Sequence, residues 1–203
     1  MATVALIGAS GNAGSRILKE LSDRGHRITA IVRDAGKIPA LDGVTAKSAD
    51  LFDRQALSQQ LRGHDAVISA VHFVASDFDA LVGAVRDAGV KRYLVVGGAG
   101  SLEVAPGQRL IDQHDFPAAY REEATGGAEF LDRLKQVEDL DWTFLSPSAM
   151  FLPGERTGQF RIGKDTLLSN DQGSSISFED YAVALVDELE TPRHLRERFT
   201  VGY

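Results

Sequence analysis

The apolar run Val4-Ala5-Leu6-Ile7 stops on Gly8, and two more glycines follow at three-residue intervals, Gly11 and Gly14. After them Ile17, Leu18 and Leu21 recur at helical spacing, so a buried strand passes directly into an amphipathic helix. Few folds accommodate that junction. Gly8 permits a tight turn, Gly11 lets a ligand come close to the backbone, and Gly14 lets the helix pack on the strand. The start of such a helix carries unpaired N–H groups and a partial positive charge, which together receive an anion. The spacing is Gly-x-x-Gly-x-x-Gly rather than Gly-x-Gly-x-x-Gly, so its place between a strand and a helix is what gives it weight. Ser10, Asn12 and Ala13 complete the turn, and the two polar side chains are placed to bond a phosphate or the turn itself. A dinucleotide held by its diphosphate is the ligand implied.

The same alternation continues along the chain. Short apolar runs at 28–32, 44–48, 66–71, 93–96 and 142–145 read as strands, with helices expected at 53–61, 77–88 and 118–137. Most of these runs are apolar throughout rather than alternating, which means strands covered on both faces. The expected fold is therefore α/β, a doubly wound, mostly parallel sheet of the Rossmann kind. After Pro147 the rhythm changes. Residues 150–173 are rich in glycine and polar residues, as in hairpins and loops, before Ser177-Phe178-Glu179-Asp180 opens a helix through Leu189 and 199–201 closes as a strand. One domain, 1–203, is expected, with 148–203 as a small C-terminal substrate lobe within it.

The second strand bears on which dinucleotide fits. In NAD-binding proteins an acidic side chain about 20 residues past the glycines bonds the adenosine ribose. Here the strand ends Ile31-Val32-Arg33-Asp34, and Arg33 stands where the acid would be. A guanidinium grips a 2′-phosphate in bidentate fashion, which favours NADP(H), although Asp34 keeps NAD(H) open. Asp50 and Leu51 follow the third strand, where a polar side chain meets the adenine amino group. Ser69, Ala70 and Val71 end the fourth, where small residues leave room for a ribose.

Composition narrows the function by exclusion. There is no cysteine, so disulfides, thiolate catalysis and cysteine-bound metals are ruled out. The five histidines stand singly at 26, 64, 72, 114 and 194, with no metal-ligand spacing. A net charge of −7 disfavours a nucleic-acid surface. No apolar stretch approaches the roughly 18–20 residues of a membrane span. With no leader pattern at the start, a cytoplasmic protein acting on a small molecule is expected. A homodimer stays open, although the helix faces show no coiled-coil seam.

Taken together, these residues resemble the atypical short-chain dehydrogenase/reductase superfamily, specifically its NAD(P)H-binding branch of NmrA-like regulators and NADH-flavin reductases. The likeness is carried by Gly8 to Gly14, Val32-Arg33-Asp34, Asp50-Leu51, the run Leu94 to Ser101, and Asp141 to Pro147. It continues through Pro153-Gly154-Glu155-Arg156-Thr157-Gly158 and Ile176 to Ala182. It implies that Gly97, Gly98, Pro147 and Ser148 line the cofactor and that Ser101 polarises a substrate. The chain also departs from the superfamily. Typical members carry Tyr-x-x-x-Lys, whose ammonium lowers the tyrosine pKa. Here Tyr120 is followed four residues on by Ala124, and Lys135 lies about four helical turns away. Tyr120, Ser101 and His114 remain the candidate catalytic residues, with His72 a candidate for the nicotinamide ribose. The resemblance implies an NADPH-dependent oxidoreductase reducing flavins such as FMN, quinones or similar small acceptors. Its alternatives are a redox sensor that binds NADP(H) without turnover, and an epimerase- or dehydratase-like or carbonyl-reducing enzyme.

Overall fold

The computed structural model describes residues 1–203. Its centre is an eight-stranded sheet built from β1 (Thr3–Ile7), β2 (Arg27–Val32), β3 (Val44–Ser48), β4 (Ala66–Ser69), β5 (Arg92–Val96), β8 (Asp141–Ser146), β10 (Arg161–Gly163) and β12 (Glu197–Gly202). They lie in the order β10-β12-β8-β5-β4-β1-β2-β3. Every neighbouring pair is parallel except β10 with β12. Helices α1 (Asn12–Asp23) and α5 (Phe178–Glu190) cover one face, where Ile17, Leu18, Leu21, Tyr181 and Leu185 pack on Val4, Leu6, Ile28 and Phe199. Helices α2 (Arg54–Leu61), α3 (Phe78–Asp87) and α4 (Ala118–Leu134) cover the other, burying Leu57, Leu61, Leu81, Val85, Phe130 and Leu134 against Ala5, Ile7, Val67 and Val95. The apolar strands thus have helices on both sides, as their composition requires. No helix is long and apolar enough to cross a membrane.

Several boundaries differ from expectation by one to three residues, α4 stopping at Leu134 rather than 137 among them, and two differences change the local path of the chain. The strand expected at 66–71 ends at Ser69: the Ala70 N–H makes the last ladder bond, to the Ile7 carbonyl, and beyond it β1 has turned away at Gly8, against which the Ala70 carbonyl lies. A short hairpin, β6 (Glu103–Ala105) with β7 (Gln108–Arg109), interrupts the connection expected to be loop.

Within 148–203, two different structures coexist. Helix α5 and strand β12 belong to the main layers, β12 pairing with β8 from Glu197 opposite Thr143 to Thr200 opposite Ser146. In 150–173, where hairpins are expected, partners come from far along the chain instead. Strand β9 (Met150–Leu152) runs parallel to β11 (Ser175–Ser177), and β10 joins β12.

The loop 153–158 is strapped to the helices by three carboxylates. Glu20 of α1 takes Arg156 Nε at 2.7 Å and Nη2 at 2.8 Å. Glu179 takes the Gly154 N–H and Arg16 Nε. Buried Asp180 takes the N–H groups of Thr157 and Gly158 together with the Tyr203 hydroxyl. The Arg156 guanidinium, seconded by Arg24, holds the Glu20 carboxyl below the usual carboxylate range, against burial, which raises it. A lowered native pKa contributes stability above the unfolded value, and that contribution disappears as pH falls. Glu20→Gln is therefore expected to cost about 1 kcal/mol at pH 7, Arg156 being half exposed. Urea denaturation should show the deficit vanishing as pH drops below 4.5, the ordinary value of the group. A deficit of equal size at pH 3 would show that shape, not charge, matters at this position.

Candidate functional site

The sheet changes winding direction between β1 and β4, and all its parallel strands point their C-terminal ends to one edge. Ligands of open α/β sheets sit in the crevice this creates. Gly8 turns the chain at φ +82°, and a side chain there would meet the Ala70 carbonyl oxygen at 2.3 Å. A Cβ on Gly14 would lie 2.1 Å from the Gly8 carbonyl oxygen, so α1 packs on its strand only because position 14 has none. Gly11 differs: a Cβ would find only the Gly8 carbonyl at 3.4 Å and the Ala70 carbonyl at 3.9 Å, and otherwise the open crevice.

The helix starts around this edge are not equivalent. Asp53 caps α2 through the Ala56 N–H, Asp77 caps α3 through the Ala80 N–H, and Ser177 caps α5 through the Asp180 N–H. Of the two helices that lack both a side-chain cap and an acidic residue in the first turn, α4 and α1, it is α1 that follows the glycine turn. Its leading N–H groups have no intrahelical partner, and Ser10, Gly11 and Asn12 lie exposed around them. That is a cradle suited to a diphosphate.

Arg33 is exposed past the end of β2, while the Asp34 carboxylate is committed to the Gly36 N–H at 3.0 Å. Beside them Ser48 accepts the Ala35 N–H. Asp50 follows β3 and is exposed, one of its oxygens accepting the Phe52 N–H, and Leu51 is half-buried. Ala70 and Val71 stand over Gly8. Ser69 is buried, and its hydroxyl is paired with the Tyr93 hydroxyl at 2.9 Å. Burial pushes the Tyr93 phenol well above its ordinary pKa, so this pair is a neutral hydrogen bond beneath the crevice.

Gly97 backs onto the Phe144 ring, whereas a Cβ on Gly98 would meet nothing within 4 Å. Pro147 is buried at the end of β8. Ser148 is fully buried, and its hydroxyl donates to the Val201 carbonyl at 2.9 Å. That hydroxyl therefore holds β12 to the end of β8. Ser101 is half-exposed and accepts from Arg198 Nη1 at 3.2 Å. Tyr120 is 67% exposed at the start of α4, and one turn on Ala124 packs against Gly100. Lys135 is at the far end of that helix, bonded to Asp132. The tyrosine thus shares the rim with the Ser101 segment but has no ammonium beside it. His114 is exposed on the loop before α4, with Nδ1 4.0 Å from Asp115.

Two residues of this edge carry no sequence motif. Glu123 accepts the N–H groups of Phe73 and Val74 and lies 3.3 Å from His72 Nδ1, so it fixes the loop after β4 to α4. Arg198, within β12, reaches Ser101, Ser146 and Asp165. Both act across long sequence separations; the one local signal is an arginine amid the apolar residues of a terminal strand.

Residues 8–192 match the protein family described as NAD(P)H-binding. Among curated proteins, the chain is 45% identical to the protein YwnB of Bacillus subtilis (strain 168), over 98% of this chain and 97% of that one. Among solved structures, a Bacteroides thetaiotaomicron protein provisionally named an epimerase aligns with a TM-score of 0.94 at 42% identity, over 99% and 96% of the two chains. A Streptococcus pneumoniae TIGR4 protein provisionally named an NADH-flavin reductase aligns with a TM-score of 0.86 at 36% identity, over 100% and 99%.

The glycine geometry separates folding from binding. Gly11→Ala should keep the wild-type melting temperature within a few degrees yet weaken NADPH at least tenfold in a calorimetric titration, a loss of about 1.4 kcal/mol or more. Gly14→Ala should instead destabilise the whole domain. Unaltered NADPH affinity in Gly11→Ala would place the diphosphate elsewhere.

Proposed function

The chain belongs to the NAD(P)H-binding family, and from that premise we propose that it is an NADPH-dependent reductase of flat, conjugated acceptors such as flavins and quinones. One observation carries this reading. Of the nine large hydrophobic side chains left exposed, Val74, Tyr120, Met150 and Leu152 stand on the segments that follow β4, open α4 and follow β8. All four lie on segments at the C-terminal edge of the sheet, where an apolar ring would cover such side chains on binding. The same edge lacks the tyrosine–lysine pair that proton chemistry on an alcohol or sugar calls for. Hydride transfer between stacked rings needs positioning and exclusion of water more than a strong acid.

Bound in the crevice, NADPH supplies the hydride. The chain's own residues bind and orient it. The open N-terminus of α1 holds the diphosphate, Asp50 faces the adenine end, and Gly98 leaves space for the nicotinamide end. Preference for the phosphorylated cofactor is supported by Arg33, which stands exposed past the end of β2 where an acidic side chain would otherwise meet the ribose. Arg33 is left as the exposed cation beside the 2′ position, with Lys37 in the following turn.

Two measurements test the reading. Purified protein mixed with NADPH and FMN or menadione should oxidise the nicotinamide, followed at its absorbance band. Tight binding of NADP⁺ and NADPH without turnover on any acceptor would favour a redox sensor instead. Arg33→Ala should weaken NADPH about tenfold or more while leaving NADH nearly unchanged. Equal losses for both would remove the phosphate clamp.

A further inference from the structure

Arg198 is a cation buried within a strand. Its side chain is 6% exposed, whereas its carboxylate partner Asp165 is 62% exposed. A buried guanidinium paired with a half-solvated carboxylate is a poor stabilising device, and an apolar residue matching Phe199 and Val201 would satisfy the strand better. Asp165 is engaged through one oxygen, accepting from Nε at 2.8 Å and Nη2 at 2.6 Å. Docking of the 163–168 segment does not require this pair, because the Glu103 and Leu167 N–H groups already bond the Asp165 and Glu103 carbonyls. The remaining nitrogen, Nη1, lies 3.2 Å from Ser101 Oγ, in the turn that follows β5, and 3.5 Å from Ser146 Oγ, at the C-terminal end of β8.

The polarity of that contact is fixed by chemistry. A guanidinium only donates, so Ser101 Oγ accepts and its proton is directed elsewhere. Ser101 Oγ makes no hydrogen bond as a donor within the chain, and the residue is half-exposed at the crevice edge. We propose that Arg198 is a positioning residue that makes Ser101 an obligatory, charge-assisted donor to the carbonyl oxygen of the acceptor. The proposal rests on the reductase reading above. Hydride leaving the reduced nicotinamide adds to the conjugated acceptor, the nicotinamide being oxidised and the acceptor reduced. The displaced electron pair moves onto the carbonyl oxygen, which then takes a proton from solvent. The Ser101 O–H stabilises that oxygen without giving up its proton, and the guanidinium behind it strengthens the hydrogen bond in a partly dry site.

The test uses the full-length protein with menadione as acceptor and the variants Arg198→Met, Arg198→Lys, Ser101→Ala and the double Arg198→Met/Ser101→Ala. Arg198→Met is expected to lower kcat tenfold or more, with KM for menadione and Kd for NADPH within about twofold. Arg198→Lys should recover part of the loss and report on folding if the methionine variant melts early. The double variant should be no slower than Ser101→Ala alone, because Arg198 acts through that hydroxyl. A second readout needs no turnover: the infrared carbonyl stretch of menadione bound with NADP⁺ should sit lower than in Arg198→Met or Ser101→Ala. A lowered stretch that Arg198→Met abolishes, in a protein that never reduces menadione, would sink the reductase reading and leave this arrangement standing. Menadione turnover with kcat and carbonyl stretch both unmoved by Arg198→Met would overturn the proposal, as would an Arg198→Met effect that persists undiminished without Ser101.

Discussion

Helix α1 meets its own strand where the main chain of Gly14 lies against the carbonyl of Gly8, at a separation that leaves no room even for a methyl group. That contact sets the angle at which α1 leaves β1, and much else depends on it. Helix α5 packs beside α1 on the same sheet face, and its first turn carries two of the three carboxylates that tie down the 153–158 loop, the third being Glu20 of α1. The same close approach aims the first N–H groups of α1 across the crevice between β1 and β4. Fold and ligand site are therefore consequences of one steric condition, and a side chain at position 14 would disturb both.

Electrostatics distinguishes this helix start from its neighbours. The protein is acidic overall, and it fills the beginnings of α2 and α3 with its own aspartates. A helix terminus satisfied by an internal carboxylate is closed to an external anion. The starts of α1 and α4 are both left without a side-chain cap, and of these two it is α1 that follows the glycine turn and is flanked by exposed Ser10, Gly11 and Asn12. The cationic side chains relevant to ligands are few and specific. Arg33 stands exposed past the end of β2, and Arg198 lies buried within β12 beside Ser101. A positive potential limited to such points suits an anionic cofactor in an otherwise negative protein, without inviting polyanions.

Much of the fold was legible because its causes are local. The glycines at 8, 11 and 14, the aspartates at 53 and 77 and the serine at 177 mark element ends through interactions spanning three or four residues. Continuous apolar runs announced strands covered on both faces. What was not legible depends on partners distant in sequence. Nothing near 150 announces that Met150–Leu152 pairs with Ser175–Ser177, or that the chain's last strand inserts beside β8. The site divides in the same way. The glycine turn proposed to receive the diphosphate is a local motif, but whether a serine hydroxyl is free depends on its neighbours. Ser69 is taken by Tyr93 and Ser148 by Val201, while Ser101 accepts from an arginine 97 residues away. Glu123 escaped notice for the same reason, since its partners lie in the loop after β4, about fifty residues earlier.

The central claim is that the backbone amides opening α1 hold the diphosphate, and amide resonances report on it most directly. In a ¹⁵N–¹H titration with NADP⁺, the account predicts that the largest shifts fall on Ser10 through Gly14, followed by Arg33 and Gly98. Saturating NADP⁺ that leaves Ser10 through Gly14 unmoved, or that perturbs only residues away from the β1–β4 crevice, would contradict it.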